Sequence, residues 1–239
     1  MRLSNLNLLY IKLASVPPRL WRALRWLPLR IFRVSRHLVR GFRGISGESG
    51  SARYATWWLE MLALMTDLVA LPELYETLCD FVKWRTRPLS PLERQLAASV
   101  FGKALRLEAI RLDERAWIGC RKRKIAYVGH FTVNSWGKLN AQTLIHELAH
   151  VWQYQQMGSS YIVRALQAQR SLVGYNYGGV GVLEKSSREE GTIQQFNLEQ
   201  QAEIIGDYYA IREGLRPSWG NGTKLDLPVY DYFVRQIRI

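Results

Sequence analysis

The sequence predicts an α+β domain that is mostly helical with a small sheet, preceded by a basic amphipathic arm. Hydrophobic residues make up 48% of the 239 residues, which suffices for a packed core. Most segments show helical periodicity, and two short ones show the pattern of strands. Residues 1–50 carry nine Arg and one Lys against one acid, and so hold +9 of the net charge of +13. We therefore divide the chain into an arm with its linker, 1–50, and a domain, 51–239.

The arm contains a repeated basic pattern. Residues 19–43 place an arginine every three or four positions, with large apolar residues between them. This predicts an amphipathic helix with a kink at Pro28. Either it contacts a membrane surface, which we favour over nucleic acid, or its apolar face packs on the chain with the arginines in solvent. An Arg-rich organellar transit peptide is a further interpretation. Residues 44–53 predict a flexible linker.

The domain begins with apolar helices. Residues 56–84 predict one or two of them, interrupted near Pro72, and residues 90–102 predict a helix with a capping box formed by Ser90 and Glu93. The further predicted elements are strands at 105–112 and 125–134, a solvated basic turn at 120–124, helices at 141–157, 160–170 and 192–214, and a glycine-rich loop at 174–182. No segment predicts a membrane span or a signal peptide. Two isolated cysteines favour a reducing compartment.

The segment 143–153, TLIHELAHVWQ, contains the residues most suited to chemistry. On a helix, His146 and His150 lie one turn apart on one face, so their imidazoles can converge on one zinc ion. Glu147 is rotated about 100° from His146 and is placed to act on a water molecule instead of the metal. The pattern predicts a zinc-binding helix that carries its own general base, Glu147.

Catalytic zinc usually has three protein ligands. No histidine follows His150, so the third ligand must be a carboxylate, His130 or His37. A downstream helix offers Glu199, Glu203 and Asp207, which are spaced four residues apart and therefore share a face. Such an acidic stripe indicates a nearby cation, or it is a solvated face.

A helix with H-E-x-x-H followed by the acidic segment EQQAEIIG resembles the gluzincin branch of the zincin metallopeptidases. The resemblance implies that Glu199 binds zinc and that Glu203 braces a ligand histidine. In a shifted register, EIIGD, Glu203 would be the ligand and Asp207 the brace. We prefer Glu199, because the small residue Ala202 precedes the second acid, as in the family.

A narrower resemblance covers residues 88–212. The segments RPLSPLERQLAASVFGKAL, LIHELAHVWQ and FNLEQQAEIIGDYY are similar to the small bacterial metallopeptidase-like domains found with type VI secretion spike (Vgr-related) proteins. This implies a bacterial protein that partners the secretion machinery. It would be located in the cytoplasm before export or at a membrane, and be delivered to a target-cell periplasm.

The oxyanion of the reaction needs a donor, and the histidine that thermolysin-type gluzincins use has no counterpart here. Tyr208 and Tyr209 on the acidic helix are the first candidates. Further candidates are Arg212 on that helix and Tyr175 and Tyr177 in the glycine-rich loop.

The predicted function is zinc-dependent hydrolysis of a peptide or amide bond in a peptide or protein substrate. The resemblance further implies a bacterial secreted effector or toxin-like hydrolase. An alternative is a non-catalytic module, stabilised by zinc, that docks to membrane or secretion machinery through its arm. A DNA-associated SprT-like protease would need a third histidine, so a nucleic-acid partner is not expected.

Overall fold

The computed structural model describes residues 5–44, 51–83, 86–117, 120–123 and 125–238. Its helices are α1 (Asn5–Arg25), α2 (Leu27–Gly44), α3 (Ser51–Leu68), α4 (Leu71–Val82), α5 (Pro91–Phe101), α6 (Cys120–Arg123), α7 (Ala141–Met157), α8 (Ser160–Arg170), α9 (Gly179–Arg188), α10 (Leu198–Arg212) and α11 (Leu227–Arg235). Its strands are β1 (Arg87–Pro88), β2 (Arg111–Asp113), β3 (Tyr127–Val128) and β4 (Thr132–Asn134). The predicted α+β class, mostly helical with a small sheet, is confirmed.

The sheet has the order β1-β2-β4-β3, in which the central pair is parallel and both outer pairs are antiparallel. The two strand predictions were too long. Residues 107–109 form a 3-10 turn before β2, and residues 125–134 contain a hairpin in which Gly129 N–H donates to the Thr132 carbonyl at 2.8 Å. Alternating apolar residues continue through this turn, so the sequence pattern does not reveal it.

Three other boundaries also differ from the predictions. The helix predicted at 192–214 begins at Leu198, because a capping box of Asn197 and Gln200 starts it and a 3-10 turn precedes it. The predicted glycine-rich loop ends where α9 begins at Gly179. The predicted basic turn is the short helix α6, whose Cys120 is buried.

The core forms where α7 packs on α10, with α5 and the sheet against the other side of α7. Ile145 and Leu148 of α7 are fully buried with Ile204 and Ile205 of α10. Burial of one such side chain contributes about 1.5–3 kcal/mol, so this interface holds the two helices in one register. Asn140 starts α7 by accepting a hydrogen bond from the Thr143 N–H at 2.8 Å.

The N-terminal helices pair with the next two, α1 with α4 and α2 with α3. The four helices therefore form an antiparallel hairpin, in which α1 and α2 make up one half and α3 and α4 the other. The break between α1 and α2 lies at Trp26, two residues before Pro28, where we predicted a kink. The predicted linker 44–53 lies largely outside the described residues, and its last three residues already belong to α3.

Several basic side chains of α1 and α2 are buried instead of facing solvent, which contradicts our expectation for the arm. Arg19 donates to Asp80 at 2.8 Å, and Arg30 pairs with Glu73; all four side chains are buried. Arg33 is buried too and donates to the Gln155 carbonyl at 2.7 Å. Acids create this inner face: Glu60 and Asp67 on α3, seven residues apart, and Glu73, Glu76 and Asp80 on α4, three and four residues apart. The sequence of the arm does not contain them. Among the described residues, no helix is both long and apolar enough to cross a membrane.

Candidate metal centre

The structure brings His146, His150 and Glu199 together at the α7–α10 interface. Nε2 of His150 lies 3.1 Å from Nε2 of His146 and 3.1 Å from Oε2 of Glu199. Nε2 of His146 lies 3.7 Å from the same carboxylate oxygen. One ligand atom from each of the three residues lies within 4.8 Å of the other two. One cation between them would therefore reach all three donors.

The donor set fits zinc. Two imidazole nitrogens and one carboxylate form a ligand set of catalytic zinc sites. Oε1 of Glu199 is buried and has no partner in hydrogen-bond geometry among the described residues, although the Gln169 side chain lies near enough to help lower the pKa of Glu199. A buried carboxylate oxygen without a partner is costly, and a cation removes that cost.

The charges of the cluster are strongly coupled. Burial disfavours the cationic form of His150, but the hydrogen bond with Glu199 and the charges of Glu199 and Glu147 raise its pKa to about 9. Burial likewise opposes ionisation of Glu199, yet hydrogen bonds from His146 and His150 hold its pKa well below the usual range. Without metal, a proton on His150 thus compensates Glu199. A bound cation would take the place of that proton.

Glu203 lies behind His146. Its Oε1 is 3.3 Å from Nδ1 of His146, the ring nitrogen that does not face Glu199. Burial raises the pKa of Glu203 to about 7. The charges of Asp207 and Glu199 add to this increase, and the charge of His146 opposes it. A carboxylate in this position orients the imidazole and leaves Nε2 free as a donor to a metal.

Gln153 has the same relation to His150, and the sequence analysis missed it. Its Oε1 lies 2.9 Å from Nδ1 of His150, and its Nε2 donates to the Leu198 carbonyl at 2.9 Å. The carbonyl only accepts, so the amide nitrogen must face it and the amide oxygen must face the histidine. The signal was present, because position i+3 from His150 lies on the same helix face.

Glu147 follows His146 on α7 and is buried. Burial raises the pKa of its carboxyl, with a further contribution from Glu199, while His150 and His146 oppose the increase. A carboxylate with a raised pKa is a better proton acceptor near neutral pH than an ordinary glutamate.

Asp207 does not contact the histidines. It is fully buried, and its two oxygens accept hydrogen bonds from the Ser218 N–H at 2.6 Å, the Gly220 N–H at 3.0 Å and the Tyr177 hydroxyl at 2.8 Å. It therefore anchors the loop after α10. The shifted register, with Glu203 as ligand and Asp207 as brace, does not match this arrangement.

Tyr208 and Tyr209, our first candidates for the oxyanion, do not lie beside the cluster. Tyr208 is nine residues after Glu199, about 180° around the helix, and its hydroxyl accepts from Arg238 at 3.3 Å. The ring of Tyr209 lies under Arg212, which itself donates to Ser99 at 2.8 Å. Counting helical positions from Glu199 would have excluded Tyr208, but not Tyr209, which lies about 80° from Glu199 around the helix.

The other histidines also lie elsewhere. His130 is buried among Trp26, Phe131 and Tyr154, and burial together with nearby arginines lowers its pKa to about 3. His37 lies 3.6 Å from Glu60.

Two tyrosines do border the cluster. The ring of Tyr175 lies 6.2 Å from that of His146 and stacks on Trp219 at 6.0 Å. Burial and the charges of Glu199, Glu147 and Glu203 raise the pKa of Tyr175 to about 12, so its hydroxyl remains a proton donor. Tyr161, which the sequence analysis did not single out, is buried with its ring 6.0 Å from that of His150.

An open groove of about 670 Å³ is lined in part by Gln153. Its lining includes Gln156, Gln167, Gln201 and Phe196, and none of the three clustered donors belongs to it. Gln153 is the residue that connects the two, because it contacts His150 of the cluster and also lines the groove. We assign the site from the cluster, because it contains the chemically capable groups.

The chain is similar to one part of a secretion protein. An alignment of 137 residues, 52% of this chain, is 32% identical to the type VI secretion system spike protein VgrG2b of Pseudomonas aeruginosa strain PAO1. The chain covers 13% of that protein's length, so the similarity concerns one segment of a much longer molecule. No protein-family model and no solved structure matches the chain.

Proposed function

We propose that this protein is a zinc-dependent metallopeptidase whose ligands are His146, His150 and Glu199. The observation that carries the proposal is the convergence of these three donors around a buried carboxylate oxygen, Oε1 of Glu199, that has no hydrogen-bond partner among the described residues. The proposed domain is zincin-like and of the gluzincin type, comprises residues 51–239, and has its motifs within 88–212.

Zinc bound there would lower the pKa of a water molecule and polarise the carbonyl of a peptide bond. His146 and His150 each present Nε2 to the site, and Glu203 and Gln153 hold the opposite ring nitrogens. Because both rings are fixed from behind, little side-chain entropy is lost when they bind a cation.

Glu147 moves the protons of the reaction. Its carboxylate accepts the proton of the attacking water and passes it to the nitrogen of the leaving amine. The burial that raises its pKa suits both steps, because the group must take up and release a proton near neutral pH. Tyr175 donates a hydrogen bond to the oxyanion, since it borders the cluster and retains its proton.

The relative supports a proposal for the cellular setting. We propose that the chain acts with a type VI secretion machinery on a peptide or protein substrate, from the bacterial cytoplasm before export to a target-cell periplasm. The similarity to a segment of a spike protein supports the association with secretion.

The alternative is a zinc-stabilised adaptor without activity. The observation that favours it is that neither the cluster nor Glu147 lines the groove, as a substrate site would. Glu147→Gln distinguishes the two functions, because Glu147 is not a ligand.

The test measures zinc and peptidase activity in the same preparations. We expect about one zinc per chain in the wild type and in Glu147→Gln, and a large loss in Glu199→Ala. Glu147→Gln should lower the cleavage of a mixed peptide library by at least about 10²-fold, as removal of a general base does. A folded wild type that binds no zinc when supplied with it refutes the site. A zinc-loaded protein with no activity in either form supports the adaptor.

A further inference from the structure

The helical hairpin α1–α4 reverses the usual distribution of side chains in a water-soluble protein, because it buries charged side chains and exposes many apolar ones. Its inner faces carry charge, as the pairs Arg19–Asp80 and Arg30–Glu73 show. In a helix packed on a core, the apolar residues face inward and the charges face solvent. Here ion pairs join α1 and α2 to α4, and many large apolar side chains lie outside, although Met61 and Leu64 of α3 are buried.

Helix α3 shows this arrangement over its whole length. Tyr54, Trp58, Leu62, Met65 and Val69 follow at intervals of four, four, three and four residues, so they form one stripe on and just beyond the helix. Their exposed fractions range from 45% to 67%. The opposite face of α3 carries acids that are buried against α2 and α8.

The same stripe occurs on the other helices. On α1 it comprises Leu6, Tyr10, Leu13, Leu20 and Leu24, each more than half exposed.

On α4 the stripe comprises Leu71, Leu74, Leu78 and Val82, with exposed fractions from 46% to 83%. Single exposed leucines are ordinary, but this many large exposed apolar side chains on helices that contact one another mark an interaction site.

The exposed charge on this surface has one sign. Residues 5–44 contain no acid, and the five acids of residues 51–83 are all buried. Among the described side chains of α1–α4, the exposed charged ones are Arg25, Arg36 and Arg40. An apolar surface with exposed arginines and no exposed acid complements an anionic bilayer, which offers acyl chains beside phosphate groups. A second copy of this chain would bring arginines close to arginines.

We propose that the outward surface of α1–α4 binds an anionic phospholipid bilayer, with the helices lying in the interface. The exposed aromatic rings of Tyr10, Trp21 and Trp58 suit the headgroup level, where amphipathic rings concentrate. Interfacial binding agrees with the lack, among the described residues, of a helix able to span a membrane. The arm and α3–α4 would hold the candidate metal centre next to the membrane.

The test uses the purified full chain and two kinds of vesicle, phosphatidylcholine alone and equal parts of phosphatidylcholine and phosphatidylglycerol. We expect the protein to float with the phosphatidylglycerol vesicles and to bind them at least about tenfold more tightly than phosphatidylcholine alone. Tryptophan fluorescence of the wild type should be quenched by brominated acyl chains in those vesicles.

Leu62→Glu with Leu78→Glu should reduce vesicle binding at least about tenfold, because each carboxylate opposes insertion. The matched control is Leu172→Glu with Leu225→Glu, which changes two leucines that are 108% and 91% exposed outside α1–α4. Both double variants should keep the circular dichroism spectrum of the wild type, and the control should bind vesicles normally.

Several outcomes would overturn the proposal. Wild-type protein that neither floats nor shows quenching contradicts it, and so does equal loss of binding in both double variants. A dimer by light scattering that Leu62→Glu with Leu78→Glu dissociates, without vesicle binding by either form, would assign the surface to a second copy. Zinc content measured beside binding separates these results from a failure of the metal site.

Discussion

The amide oxygen of Gln153 lies 2.9 Å from Nδ1 of His150, and the amide nitrogen of the same side chain holds the Leu198 carbonyl at the start of α10. One glutamine thus orients a candidate ligand and ties α7 to the helix that carries Glu199.

We expect Gln153→Ala to lower zinc affinity by about 10–100-fold, as loss of a partner behind a ligand histidine does. The measurement is the zinc dissociation constant by competition with a chelator. Gln156→Ala is the control, because Gln156 lies on the same helix but is exposed. Equal affinities in the two variants would show that the Gln153 contact does not support metal binding.

Tyr175→Phe tests the oxyanion donor of the proposed reaction. Removing one such donor costs about 10²–10³-fold in kcat, so we expect a fall of that order with an unchanged zinc content. Tyr177→Phe is the matched control. The Tyr177 hydroxyl donates to Asp207 at 2.8 Å, and Asp207 does not contact the candidate zinc ligands. That change should lower the free energy of unfolding by about 1–3 kcal/mol and leave kcat near the wild-type value. A normal kcat in Tyr175→Phe would exclude Tyr175 from this role.

The buried pair of Arg30 and Glu73 predicts an asymmetry between single and double variants. Arg30→Leu should lower the free energy of unfolding by about 3–5 kcal/mol, because Glu73 is left as an unpaired charge beneath the surface. Arg30→Leu with Glu73→Leu should recover most of this loss. Arg36→Leu, at an exposed position of the same helix, should change stability by less than about 0.5 kcal/mol. Urea denaturation of the four proteins measures these differences, and a double variant no better than Arg30→Leu would contradict the asymmetry.

Glu93 predicts a pH dependence of stability. Burial would raise the pKa of Glu93, but hydrogen bonds from Arg87 and Ser90 outweigh it and lower the pKa to about 2. The folded-state pKa is below the unfolded-state value of about 4.3. The ionised carboxylate therefore stabilises the fold, and this contribution is complete at pH values above the unfolded-state pKa. This contribution is lost as the pH falls through the folded-state pKa.

The measurement is the difference in unfolding free energy between the wild type and Glu93→Gln as a function of pH. Glutamine can still accept from the Ser90 N–H, so the capping box is retained while the charge is removed. The difference should be constant above about pH 5 and shrink toward pH 2. A difference that does not vary over this interval would mean that the ion pair with Arg87 adds no stability.

Much of the fold could be predicted from local patterns. The capping box of Ser90 and Glu93 and the bounds of α7 were predicted from the sequence, because caps and helical periodicity depend on residues within one or two turns. The strands were less predictable. Each is two or three residues long, and a tight turn such as that at Gly129 leaves the apolar alternation unchanged.

The sequence by itself determined that His146 and His150 share a helix face, and that Glu199 and Glu203 share another, because both relations follow from the helical repeat. Only the tertiary structure decided which acid meets the histidines, that Gln153 and Tyr175 border them, and that Tyr208 does not. It also decided that Arg19, Arg30 and Arg33 of the arm are buried. An amphipathic helix has two faces, and which one is buried depends on the helix that packs against it. For α2 that partner is α3, whose acids are distant in sequence and close in space.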